Sequence, residues 1–480
     1  MLLMGVTFVQ GLAVGAASVV AVTVAASLTL LPALLGFAGQ KIELTRWRGL
    51  IAAGFVAIAL AGVGLDITPL LVGLPVAAVV LIAGLFAAPL KREVRHRSRK
   101  PLRETAAYRW SRVVQHHPWK VALISSGVLI ALALPFFSLR LAFSDEGNYG
   151  EETSTRKAYD LLAEGFGPGF NGPMIMAAEI PRGTDRAALQ AVTDAAQRDP
   201  GVAFVSPPVI SEDFSAVLWR LIPTTAPQDE ATAATVRRLR TQVLPPAASR
   251  LGMDVTITGA VAVSQDFGNY LGSRYPYFFG AVLILSFLLL MAVFRSVLVP
   301  VKAVIMNLLS IAAAYGVVVA LFQWGWLSAI TGVQPAPIEP WAPMMLFAIV
   351  FGLSMDYEVF LLSRVREEWR RTGDSRRSVA DGLAATAKVI SAAAAIMVVV
   401  FGSFILEQDR VIKLMGTGLA MAILLDATIV RMLLVPATME LLGDKNWWLP
   451  RWLDKILPRV DVEGTATPVD QIDEPVTGVR

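Results

Sequence analysis

Nine apolar runs, most of them near twenty residues long, partition this chain. A helix of about 20 residues crosses the hydrocarbon core of a bilayer, and only a helix or a closed barrel satisfies its backbone there. The runs are Gly5–Gly36, Gly49–Leu65, Leu70–Leu90, Trp119–Leu139, Tyr275–Phe294, Val297–Phe322, Trp341–Leu362, Val389–Leu406 and Leu414–Leu442. They predict a polytopic α-helical membrane protein of about nine spanning helices. A mean hydropathy of +0.59, far above that of a soluble domain, agrees.

Composition then removes several chemistries. With no cysteine in 480 residues there is no disulfide, thiolate metal site or cysteine nucleophile. The three histidines, His96, His116 and His117, lie in a basic stretch and make a poor metal set. No GxxxxGK[ST], GxSxG or HExxH motif occurs, so neither an ATPase nor a hydrolase is indicated, and no cofactor is called for. The net charge of +4 reads as loop charge on a membrane protein, not as a nucleic-acid surface.

In chain order, residues 1–39 form one spanning helix, with no basic leader before it. Residues 40–118 are predicted to be cytoplasmic, apart from a helical hairpin over 49–90 that turns at Asp66-Ile67-Thr68-Pro69. The basic run KREVRHRSRK follows that hairpin. Residues 119–141 cross outward. Residues 142–272 turn polar and Gly/Pro-punctuated, and their segments run βαββαβ, a ferredoxin-like order. The strands are MIMAAEI, VAFVS, AVLWRLIPT and DVTITG, and the helices Thr184–Arg198 and Asp229–Arg250, with Thr184 or Asp185 and Asp229 at helix starts. A short helix over Ala262–Ser273 leads back to a five-helix bundle, 273–443, and a tail, 444–480, whose end Gly464–Arg480 is too polar to fold. Loop Trp324–Pro340 has no Lys or Arg, whereas Arg364–Lys388 has seven. The first is therefore predicted outside with the α/β domain, and the second inside with the C-terminus. The first and last apolar runs share Gly-Leu-Ala and Leu-Leu-Gly at the same spacing (Gly11 to Gly36, Gly418 to Gly443), as the ends of a duplicated unit would, or as two apolar helices do by chance.

Charged residues inside these runs are the candidates for function, because a carboxylate in hydrocarbon is costly. GLSMDYEVFLLSR, Gly352–Arg364, carries Asp356, Tyr357 and Glu358. LLDATIVRMLL carries Asp426 and Arg431. Both sets should face the bundle interior. Asp356 can be a titrating carboxylate that drives a conformational cycle, or one member of a static buried pair. Glu358 lies nearer the interface, within reach of water. Asp426 and Arg431, five residues apart, fall about 140° apart on an α-helix and make poor partners for each other. Lys302 reads as an inside anchor. Trp324, Trp326 and Trp341 read as one interfacial belt, and Trp447, Trp448 and Trp452 as the other.

FGLSMDYEVFLLSRVREEW and LLDATIVRMLLVPATMELLGDKNWWLPRW resemble the MmpL transporters of the resistance–nodulation–division superfamily, over roughly Trp110–Trp452. The resemblance implies an actinobacterial plasma-membrane exporter of lipids or other hydrophobic metabolites, driven by protons as coupling ion, with an extracytoplasmic porter domain. It implies that Asp356 and Tyr357 are a proton-relay pair and that Asp426 and Arg431 match the family's polar positions in its last helix; Glu358, Asp426 and Arg431 are candidates for coupling because they are charges within apolar runs. It also implies a first half with a second Asp–Tyr pair and a second outer domain, neither of which is in this sequence, and to which the hairpin 49–90 is extra. Partners would then be the cargo, membrane lipids and a missing N-terminal half or other subunit. Drug efflux by the same engine, and a non-transporting scaffold, are the competing readings.

Overall fold

The structure, a computed structural model, describes residues 4–38, 47–64, 67–87 and 104–457. Most of the short basic segment after the first helix (40–46), Asp66 in the hairpin turn, the run KREVRHRSRK and the tail Gly464–Arg480 lie outside the described residues.

Helix α1 (Thr7–Ala38) is followed by a hairpin of α2 (Trp47–Gly64) and α3 (Gly73–Phe86), then by the amphipathic α4 (Ala106–His116) and by α5 (Pro118–Ala133), whose end tightens over Leu134–Ser138. Next come α6 (Ser154–Phe166), β1 (Met174–Glu179), α7 (Arg186–Gln197), β2 (Val202–Val205), β3 (Val209–Ile210), β4 (Ala216–Pro223), α8 (Glu230–Arg238), α9 (Leu244–Ser249) and β5 (Thr256–Thr258). The chain returns through α10 (Ala260–Phe294), α11 (Leu298–Val318), the short α12 (Ser328–Thr331), α13 (Ala342–Thr372), α14 (Ser375–Ser403) and α15 (Arg410–Leu425). A π-helical stretch, Asp426–Leu434, joins α15 to α16 (Val435–Leu442), and α17 (Arg451–Ile456) follows.

Among the described residues seven helices are long and apolar enough to cross a membrane. The two that fall short are the hairpin pair. They are the shorter apolar stretches Trp47–Gly62 and Thr68–Gly84, the second opening on a 3-10 turn over Thr68–Val72.

The basic stretch Arg364–Lys388 is not a loop. Helix α13 runs through it to Thr372, Gly373 turns the chain at φ +65°, and Asp374 caps α14 by accepting hydrogen bonds from the backbone N–H groups of Arg376 and Arg377. A left-handed glycine followed at once by a carboxylate cap is enough to reverse a helix, so the charges extend both helices beyond the apolar zone. Likewise the short helix expected over Ala262–Ser273 is the first part of the continuous 35-residue α10, which carries Pro276 in its interior.

Among the described residues the bundle has two large cores and a small third around Ala394, Ile423 and Ala427. One gathers Phe278, Tyr315, Phe347, Phe351 and Leu414, the other Phe294, Leu361, Leu362, Leu383 and Leu434. Glycines set the helix spacing at two crossings. A Cβ at Gly316 would fall 1.8 Å from the Leu132 carbonyl oxygen, and one at Gly382 2.7 Å from the Val365 side chain. Small residues at crossings let helices approach where lipid supplies no hydrophobic drive.

In the α/β domain the sheet order is β2-β4-β1-β5, all pairs antiparallel, with β3 added on β4. Alternation decides its faces: Met174, Met176 and Ala178 on β1, and Val217, Trp219 and Leu221 on β4, are buried. Leu189, Val192 and Ala196 of α7 and Val236 of α8 share this core, and Trp219 Nε1 donates to Thr193 Oγ1 at 3.0 Å. Asp185 caps α7 through the Ala187 N–H, whereas Asp229 accepts from the Ala226 N–H and leaves α8 without a side-chain cap. Helix α6, capped by Thr153, and strand β3 are additions to the expected order.

Arg238 ties α8 to the end of α7 through two hydrogen bonds to the buried Asp199, at 2.8 and 2.5 Å. Those bonds hold the Asp199 carboxyl below the usual carboxylate range. A lowered carboxylate pKa contributes stability above the unfolded value of about 3.9 and loses it as pH falls through the folded value. Arg238→Ala is therefore expected to lower the opening free energy of β2 and β4 amides by about 2 kcal/mol at neutral pH. Hydrogen–deuterium exchange measures this, and the gap from the parent chain should close as pH drops below about 4.

Candidate functional site

Helix α13 buries one stripe, Ser354, Glu358, Leu361, Leu362 and Val365, against the rest of the bundle. That i, i+4, i+7 spacing follows from 3.6 residues per turn. It places Glu358 inside, only 3% exposed, not at a watery interface as its position in the sequence suggests. Asp356, two residues earlier, falls on the opposite side with Gly352 and Phe360, on a face that no described residue covers. The expectation that Asp356 points into the bundle interior is therefore corrected for this chain. Tyr357 lies between the two faces, and its hydroxyl donates to Met397 Sδ at 3.6 Å.

Asp426 and Arg431, 3% and 1% exposed, are direct partners, contrary to the α-helical expectation. Arg431 Nε donates to Asp426 Oδ2 at 2.8 Å. The reason is local: Asp426–Leu434 is a π-helix. Hydrogen bonding from i to i+5 brings residues five apart onto one side, where an α-helix would splay them. The same guanidinium donates to the Ser354 backbone carbonyl of α13 and lies 5.4 Å from the centre of the Tyr357 ring. One arginine thus joins the last spanning helix to the carboxylate-bearing helix through a salt bridge, a hydrogen bond and a cation–π contact.

Helix α11 completes the cluster. Asn307 Nδ2 donates to Glu358 Oε2 at 3.3 Å. Lys302, expected as an anchor at the turn, is buried and donates to Asn446 Oδ1 at 3.3 Å. Asn446 in turn donates to the carbonyls of Met439 and Gly443 at 2.8 and 2.6 Å. Glu358 interacts electrostatically with Arg431, Lys302 and Asp426. The set is charge-balanced, with two cations and two carboxylates, as burial in a low dielectric requires. It also has spare bonding capacity: Glu358 Oε1, Asp426 Oδ1 and Arg431 Nη1 are buried without hydrogen-bond partners. With the charges balanced, one proton added to either carboxylate leaves a cation in excess and changes every interaction in the set.

Sequence reasoning singled out both carboxylates, the arginine and the tyrosine. It missed Asn307 and Asn446, whose role depends on which helix faces which. The available signal was Lys302 and Asn307 together, two polar residues within an otherwise apolar run. The pairing predicts a sharp asymmetry. Arg431→Met strands Asp426 and Glu358 and should cost about 3–5 kcal/mol. Arg431→Met with Asp426→Leu should recover most of the folded, membrane-inserted protein, as measured by size-exclusion chromatography of detergent extracts.

Comparison with known proteins follows the same segments. The MMPL family matches residues 171–460. The mycolic acid-containing lipids exporter MmpL11 of Mycolicibacterium smegmatis is 34% identical over 371 residues, 76% of this chain and 39% of that protein. Membrane protein YdfJ of Bacillus subtilis is 36% identical over 444 residues, 92% of this chain and 58% of its own. Heme uptake protein MmpL11 of Mycobacterium tuberculosis is 36% identical over 399 residues, 82% of this chain and 41% of its own. The chain thus spans about two-fifths to three-fifths of the length of these curated relatives. With the family matched over more than half of its length, this membrane protein belongs to the MMPL family of resistance–nodulation–division-type transporters.

Proposed function

We propose that this chain works within a proton-motive-force-driven exporter of lipids or other hydrophobic metabolites across the plasma membrane. One observation carries the reading: a charge-balanced cluster of Glu358, Asp426, Arg431 and Lys302, buried in an apolar bundle with unpartnered carboxylate oxygens. A purely structural pair is better replaced by packed apolar side chains, so a retained cluster of this kind supports a role for its charge.

In this reading Asp356 and Tyr357 receive the proton, and Glu358, Asp426 and Arg431 convert its arrival into movement. Protonation of either buried carboxylate weakens its hold on Arg431 and loosens the junction with Ser354 on α13. The face of α13 that bears Asp356 is covered in the whole protein by further helices, which seclude the acid from lipid. The α/β domain is a porter domain of ferredoxin-like type, a reading supported by its strand order. It stands on the extracytoplasmic side. The asymmetry between the basic stretch Arg364–Lys388 and the uncharged-to-acidic loop Trp324–Pro340 supports that orientation, with the C-terminus cytoplasmic. The hairpin α2–α3 returns to the cytoplasmic side.

Lipid as cargo is supported by the relative named as an exporter of mycolic acid-containing lipids. The relative named for heme uptake favours a second reading, inward movement of a large hydrophobic ligand by the same cluster. Asp356→Asn in the full-length transporter is expected to reduce export at least about ten-fold with unchanged membrane abundance, because a neutral amide cannot carry the proton. Lipid profiling of a complemented deletion strain measures it, and normal export by a well-expressed variant removes the mechanism.

A further inference from the structure

A second buried ion pair sits at the opposite end of the bundle, beside the α/β domain. Arg410, at the start of α15, donates from Nη1 to Glu339 Oε1 at 2.9 Å, and the two residues are 5% and 2% exposed. Its Nη2 donates to three carbonyls, of Phe322 at 3.2 Å, Ala336 at 2.9 Å and Pro337 at 3.1 Å, and its guanidinium lies 5.8 Å from the Phe322 ring centre. Glu339 Oε1 also accepts from Ser144 Oγ at 2.7 Å. Ser144 belongs to the strap between α5 and the α/β domain. The same strap pairs with the residue before Glu339: the Ile338 N–H donates to the Arg140 carbonyl at 2.9 Å, and the Ala142 N–H to the Ile338 carbonyl at 3.1 Å.

The other connection to the α/β domain converges on the same place. In α10, a Cβ at Gly268 would lie 3.2 Å from the Leu141 carbonyl oxygen, and the Tyr275 hydroxyl donates to the Pro340 carbonyl. Both covalent links between the bundle and the α/β domain therefore meet the segment 338–340 that Arg410 grips. The helix that begins at Arg410 runs 16 residues and passes directly into the π-helix of Asp426 and Arg431. One rod carries the charge cluster at one end and this grip at the other.

An arginine fork has five donors in a fixed plane, so it holds several acceptors in one geometry and releases them together. Glu339 Oε2 and Arg410 Nε are buried without partners here, which leaves both side chains capacity for a second arrangement. We propose that the Arg410–Glu339–Ser144 junction is the joint through which a protonation change at the Glu358–Asp426–Arg431 cluster moves the α/β domain. Arg410 and Glu339 are then positioning residues for transport. The inference rests on the proton-driven reading above.

These 480 residues hold no cysteine, and any cysteine elsewhere in the full-length transporter is first replaced by serine. A single cysteine replacing exposed Phe204 on the sheet, or Phe360 on the Asp356-bearing face of α13, carries an environment-sensitive fluorophore in the full-length transporter reconstituted in vesicles. The signal is recorded on a step from neutral to mildly acidic pH. The otherwise unmodified transporter should respond at both positions. In Arg410→Lys, which keeps the charge but loses the fork, the Phe360 position should respond as before while the Phe204 response falls about ten-fold. Ser144→Ala leaves the ion pair intact and removes only the strap's hydroxyl, and should reduce the Phe204 response about three-fold. Unchanged Phe204 responses in both variants overturn the joint, as does an equal loss at both positions, the signature of a merely structural role. Where Arg410→Lys fails to insert, Ser144→Ala decides alone on the same criterion. If the unmodified background responds at neither position, the proton-driven reading itself falls, and the joint with it.

Discussion

Burying Arg431 is the constraint on which the rest of the bundle depends. A guanidinium cannot be deprotonated and must find acceptors wherever it is placed. In an apolar bundle those acceptors have to be built, and two elements are shaped to supply them. The last spanning helix changes to π geometry over Asp426–Leu434 so that Asp426 comes round to Nε. Helix α13 presents its Ser354 carbonyl and the Tyr357 ring. Glu358 approaches on the same side and in turn fixes the orientation of Asn307 on α11. π-Bulges are strained relative to an α-helix and tend to occur where function needs them, and here the bulge is the element that brings Asp426 and Arg431 together.

Two buried arginines on one continuous helical rod give the architecture its logic. Arg431 collects α13 and, through Glu358, α11. Arg410 collects the loop after α11, the segment before α13 and the strap to the α/β domain. Between them, close crossings at Gly316 and Gly382 leave little room for helices to slide independently. A packed interior of this kind moves between discrete arrangements and does not deform continuously. In the proposed cycle, charge at the cluster and position of the α/β domain are linked through the same rigid pieces.

Much of the fold was legible from local signals. Apolar run length marks the spanning helices, and alternation in MIMAAEI and AVLWRLIP marks two central strands with their buried faces. Asp185 marks a helix start by its own chemistry. What was illegible depended on context. Gly373-Asp374 looks like a loop in composition, yet it is a two-residue reversal between long helices, because glycine conformation and a carboxylate cap do the work of a longer loop. The hairpin α2–α3 reads as two spans by hydropathy, and its described helices are shorter apolar stretches, the second opening on a 3-10 turn at Thr68.

The sequence alone determined that this is a membrane protein, which residues break its apolar runs, and that Asp356, Glu358, Asp426 and Arg431 had to be accounted for, since hydropathy and charge are properties of residues taken one at a time. Tertiary structure decided which of them meet. It turned Glu358 inward and left Asp356 on a face that no described residue covers. It paired Asp426 with Arg431 across a π-turn, drew Lys302 off the interface, and assembled Glu339, Arg410 and Ser144 from three distant segments. Pairing in a bundle depends on helix phase and on which helices are neighbours, and both are set by packing across the whole molecule.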